Sequence, residues 1–133
     1  MTIRMNLSIF PPEKIHVYHL DRVDGKTVRY LADREMGGVQ AFAIGISTLS
    51  SGVIGNTGSH DSEEVFYFLR GKAVVVIDGN AINVESGTVV VVPPDVPHRI
   101  ENNSSDECAY LWVVAPQPER MAGLRPVESL DKE

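Results

Sequence analysis

The chain has 133 residues, 12 basic and 18 acidic, for a formal net charge of −6; 43% are hydrophobic and 23% charged. That length suits one domain able to bury a core without disulfides. An acidic chain with no basic cluster is a poor match for nucleic acid, and no apolar run approaches the ~20 residues of a membrane span. Cys108 is the sole cysteine, so no intrachain disulfide forms, which fits a reducing, cytoplasmic compartment.

Taken in order, residues 1–14 read as a leader closed by Pro11-Pro12, without the pattern of a signal peptide. Residues 15–20 alternate and predict a short strand, with His16 and His19 on opposite faces as surface or half-buried histidines. Asp24-Gly25-Lys26 signals a turn, residues 28–31 a second strand, and 32–38 a loop. Residues 40–50 alternate cleanly: Phe42, Ile44 and Ile46 form a large face, and Ala41, Ala43, Gly45 and Ser47 a small one. That pattern predicts a strand packed closely on both sides. The glycine-rich stretch 52–59 lacks the Lys and following helix of a phosphate cradle and reads as a loop.

Residues 64–70 and 73–77 are β-rich. Asp78-Gly79-Asn80 is a hairpin signal, because these residues tolerate positive φ. The chain returns over 81–84 and turns at Glu85-Ser86-Gly87. Residues 88–92 are a β-branched run that predicts a strand buried on both faces. A proline-stiffened loop, 93–97, leads to a short strand at 98–101 and a last strand at 107–114. The tail, 115–133, holds three prolines and many charges, with a short helix expected around 119–122. Many short strands and no sustained helical period predict an all-β barrel or sandwich.

Candidate chemistry concentrates in two places. His60, Ser62 and Glu64 share parity, so an extended chain directs them to one face, and His98 follows the stiff loop. Two neutral nitrogens and a carboxylate suit a divalent first-row metal. Residue chemistry equally allows a carboxylate–histidine hydrogen-bond pair without metal, or two ordinary histidines. Tyr67 and Tyr110 are read as packing residues with a proton to offer, Arg99 as facing away from His98, and Cys108 as a buried structural thiol. Arg70 shares the parity of Glu64 and offers a carboxylate contact near a pocket mouth. Phe66, Phe68, Val92, Ile100 and Trp112 are expected to line the barrel.

The two segments resemble the paired motifs of the cupin superfamily. Gly87, Pro93, His98 and Asn102 fall on the second motif without a gap, with Asp95 at its inner Gly. In the first, Glu64 and Gly71 match, His60 lands on the second His of a His-x-His pair, and the first His position falls on Gly58. A register with His60 first and Ser62 second leaves too short a spacing to Glu64. The resemblance implies a small single-domain cupin: an all-β double-stranded β-helix (jelly-roll) barrel over 40–115, with an N-terminal leader and dimerisation strands over 1–39 and a C-terminal tail over 116–133. It makes His60, Glu64 and His98 ligands of a divalent transition metal (Mn, Fe, Ni, Zn or Cu), one ligand short because of Gly58. Asn56, Thr57 or Ser62 is then a candidate weak oxygen ligand. The implied function is an isomerase, lyase or oxygenase acting on a small oxygen-rich molecule. The alternative is a non-catalytic ligand-binding cupin with little or no metal. Similar proteins pair their N-terminal strands, so a homodimer is expected; the strands before residue 40 have little to pack on within one small barrel.

Overall fold

The computed structural model describes residues 7–127. The first six residues of the leader and the last six of the tail lie outside that range. Among the described residues a single 3-10 turn, Pro12–Lys14, precedes ten strands: β1 Val17–Leu20, β2 Val23–Ala32, β3 Ala43–Leu49, β4 Glu63–Arg70, β5 Lys72–Ile77, β6 Asn80–Glu85, β7 Val89–Val92, β8 His98–Glu101, β9 Cys108–Ala115 and β10 Leu124–Pro126. They form a seven-stranded sheet, β10-β1-β2-β3-β9-β4-β7, and a three-stranded sheet, β6-β5-β8. Every pairing is antiparallel. The fold is the all-β jelly roll expected. No helix among the described residues is long and apolar enough to cross a membrane.

Side-chain size decides how the sheets close. On β3 the small face turns inward: Ala43, Gly45 and Ser47 are buried, while Ile44 and Ile46 are half-buried outside. Gly45 lies opposite Trp112 of β9. A Cβ at Gly45 would stand 2.2 Å from the indole, so only glycine admits the ring. The Trp112 Nε1–H donates to Ser47 Oγ at 3.0 Å. Phe68, Val75, Val92 and Ile100 complete the centre of the core with Leu20, Val28 and Leu49. Each such side chain, fully buried, contributes about 1.5–3 kcal/mol.

Asp78 and Gly79 both take positive φ, 49° and 81°, in the expected β5–β6 hairpin. Asn102 is fully buried. Its amide donates to the carbonyls of Leu49 and Asp106, both at 2.9 Å, and its oxygen accepts from the Ser104 N–H and hydroxyl. It thereby ties the β8–β9 turn to the end of β3.

Several expectations are corrected. Asp24-Gly25-Lys26 is no turn but part of β2. Gly25, at φ +88°, absorbs the shift by which His19 pairs with Thr27 and Leu20 with Val23. The valine run of β7 is buried on one face only. It is an edge strand paired with β4 alone, and Val89 and Val91 are 57% and 60% exposed. Residues 119–122 form no helix; the chain there is irregular, bends at residues 122–123 and then enters β10, which pairs with β1. The strands before residue 40 do find packing partners, since β2 pairs with β3 and sends Val28 and Tyr30 into the core.

Candidate metal centre

Glu64 opens the inward face of β4, followed on the same side by Phe66 and Phe68. His60 stands in the loop before it. His98 is the first residue of β8, in the other sheet. The β7–β8 loop joins the two regions. Asp95 takes φ +64°, a left-handed conformation that Asp adopts more readily than bulkier residues. Its N–H donates to the His60 carbonyl at 2.7 Å. Gly58 and His98 exchange two backbone hydrogen bonds, each 3.0 Å. Three prolines and a left-handed residue therefore set the loop that delivers His98.

The side chains then meet. His60 Nε2 lies 2.9 Å and His98 Nε2 3.2 Å from the same carboxylate oxygen, Glu64 Oε1. The three ligand atoms lie within 4.8 Å of one another. Each ring is pinned from behind: His60 Nδ1 is 3.1 Å from the Ser62 carbonyl and His98 Nδ1 2.9 Å from that of Val96. A carbonyl only accepts, so each Nδ1 carries a proton. Both Nε2 lone pairs of neutral rings are then aimed at an anionic oxygen. Three acceptors facing one point need a cation among them, either a proton or a metal ion. For His98 the Glu64 hydrogen bond raises the pKa above the ordinary histidine value, against the opposing effect of burial. The donor set also fits a metal. Separations near 3 Å are those of ligands roughly 2.1 Å from one ion, and backbone carbonyls behind the rings are the usual orienting partners of metal-bound histidines.

The sequence matches the family model for the Cupin domain over residues 46–114. The chain belongs to the cupin family. A relative from Methanocaldococcus jannaschii, itself uncharacterised, is 37% identical over 43 residues; the match covers 32% of this chain and only 34% of the relative. Among solved structures, KdgF from Halomonas sp. superposes with a TM-score of 0.72 at 15% identity, over 86% of this chain and 97% of that one. The polyketide cyclase RemF from Streptomyces resistomycificus gives 0.70 at 20% identity, over 96% and 87%. At such identities the likeness concerns the fold.

The cupin barrel holds a cavity of about 330 Å³ with the two histidines and Glu64 on its wall. Of the side chains expected to line the barrel, Phe66, Ile100 and Trp112 face this space, whereas Phe68 and Val92 lie in the packed core. Tyr110 is also on the wall, edge-on to Phe66 at 5.5 Å, and burial keeps its phenol protonated far above the ordinary tyrosine range. Tyr67 sits on the outer face, 41% exposed. Cys108 is buried as expected, and burial raises its thiol pKa.

Three candidates are not where parity put them. Ser62 is buried, and its hydroxyl donates to the Pro116 carbonyl at 2.5 Å. The chain bends at residues 61–62, so extended-strand parity fails there. Arg70 pairs with Glu107 outside the cavity, because β4 shifts register between Phe68 and Arg70. Arg99 touches the rim of the cavity but is held by Glu101 at 2.6 Å and by Thr57 Oγ1 at 3.3 Å, which also occupies Thr57. Asn56 reaches the cavity wall. Sequence reasoning missed Lys26 and Arg22, which also line it, together with Pro118, Glu119 and Met121 of the tail. Lys26 shares the inward parity of Val28 and Tyr30, a signal masked by reading Gly25 as a turn.

Proposed function

We propose that this cupin is a small metal-dependent enzyme whose divalent ion (Mn, Fe, Ni, Zn or Cu) is held by His60, Glu64 and His98. The observation that carries the reading is the convergence of two back-pinned Nε2 atoms and one carboxylate oxygen on a single point. Once bound, such an ion supplies Lewis-acid polarisation of a carbonyl or enolate oxygen. The chain's own residues do the rest. The Ser62 and Val96 carbonyls fix the ring tautomers. Phe66, Ile100 and Trp112 exclude water from the reacting face and position the apolar part of a small oxygen-rich molecule. An ion held by His60, Glu64 and His98 would suit isomerase, lyase or oxygenase chemistry on such a molecule. RemF, a cyclase on the same fold, supports an enzymatic use of the cavity. A single cysteine, with no intrachain disulfide, supports a reducing compartment such as the cytoplasm.

Metal content settles the ion. Protein purified from metal-supplemented cells should carry close to one ion per chain, and His98→Ala and Glu64→Ala should carry little. Equal content in all three removes the metal reading.

A second reading, ligand binding without turnover, is favoured by Gly58, which leaves the ligand set at three. Thermal stabilisation by a small molecule, indifferent to chelators and without product, would select it.

A further inference from the structure

We propose that the cavity selects small organic acids, with Lys26 binding the carboxylate and the apolar body lying along Phe66, Ile100 and Trp112. This deepens the reading of the cavity as a small-molecule site, yet it depends on the cavity and not on the ion.

Lys26 stands on the inward face of β2, in series with the buried Val28 and Tyr30. A charged amine on a core-facing strand position is costly unless something pairs with it. The ion pairs among the described residues engage Arg70, Arg99, Arg120, Arg125 and the two site histidines, never Lys26. Burial lowers the Lys26 pKa from its ordinary value and the Glu64 charge only partly offsets this; no Lys26 nitrogen comes within ion-pair distance, and Glu64 Oε1 is already shared by two imidazoles. Among the described residues no sealed side-chain nitrogen or oxygen lacks a partner. The unpaired ammonium therefore opens on the cavity, whose wall it forms.

The other charges around the space are accounted for. Arg99 is taken by Glu101, and Asp33 by Arg120. Glu119 is exposed at the rim. Arg22, exposed on the same wall and in none of those ion pairs, adds a second positive charge at the entrance, where it attracts anions. The positive charge left over inside is that of Lys26. A volume near 330 Å³ lies at the small end of ligand pockets and suits one carboxylate on a compact apolar frame.

Matched acid–amide pairs test this by calorimetry: benzoate against benzamide, phenylacetate against phenylacetamide, butyrate against butyramide. Wild type should bind at least one acid about tenfold or more tightly than its amide, as expected for a charge-assisted contact. Lys26→Met and Lys26→Gln should bring that pair near parity with metal content unchanged. Lys26→Arg should keep most of the preference. His98→Ala, which disables the ion site, should keep it too. No acid-over-amide preference in any wild-type pair overturns the proposal. So does a preference that survives in Lys26→Met and disappears in His98→Ala, since the ion would then read the carboxylate. Loss of metal from wild type with the Lys26-dependent preference intact would remove the enzyme reading and leave this one standing.

Discussion

Gly58 sits where the family motif has its first histidine, hydrogen-bonded through its backbone to His98. Nothing lies within 4 Å of where its Cβ would be, and its φ is not positive. A side chain there enters open space on the cavity wall without strain. Gly58→His should therefore add a fourth ligand and tighten metal binding at least about tenfold, measured by titration of the apo protein with Mn²⁺ or Zn²⁺. Unchanged affinity would mean that the position does not aim at the ion. The convergence of His60, Glu64 and His98 was legible in the sequence because the motif spacing follows the chain's own strands and loop. The second motif's Gly-to-Asp change was legible too, and Asp95 keeps the left-handed backbone that the position demands. Lys26 was not legible, since a glycine that bulges a strand and a glycine that ends one look alike in sequence.

Among the elements, the irregular segment between β9 and β10 lines one side of the cavity and is tied down by side chains. Gln117 donates to the carbonyls of Gln40 and Phe42. Arg120 forks onto Asp33 at 2.6 and 2.9 Å and lies 4.3 Å above the Tyr30 ring. Burial alone would raise the Asp33 carboxyl; the Arg120 bonds and the Met36 N–H outweigh it and hold the group below the usual carboxylate range. The folded carboxyl titrates lower than the unfolded one. Its stabilisation is thus complete above about pH 4 and is lost as pH falls through the depressed value. Arg120→Met should cost about 3 kcal/mol at pH 7, because it strands a buried carboxylate, and much less at pH 3. Urea unfolding at both pH values reads the difference, and an equal loss at both would refute this role for the pair. The segment's charges and prolines suggested a surface tail with one helical turn. Its actual course depends on Asp33 and Tyr30, some ninety residues earlier, a contact no local pattern reports. The β7 valines mislead in the same way, because apolarity tells how buried a strand can be but not whether it ends a sheet.

On the whole molecule, the large sheet carries two apolar rows on its outer face. Val91, Val65, Val113 and Ile44 stand side by side across four strands, as do Val89, Tyr67, Leu111 and Ile46. A contiguous apolar surface of that kind usually buries against something, and two copies related by a two-fold axis present it to each other. The expected homodimer thus has a surface available other than β1 and β2, whose edges are already paired within the sheet. Light scattering should give the mass of two chains, and Tyr67→Lys with Val91→Lys should reduce it to one. A single-chain mass for the wild type would remove the dimer.

Glu64 belongs to the seven-stranded leaf and His98 to the three-stranded one. Whatever cation joins them is consequently a rivet through both leaves. Its binding energy opposes any prying apart of the jaws, so loading the centre should make the entire shell harder to open, far from any reacting molecule.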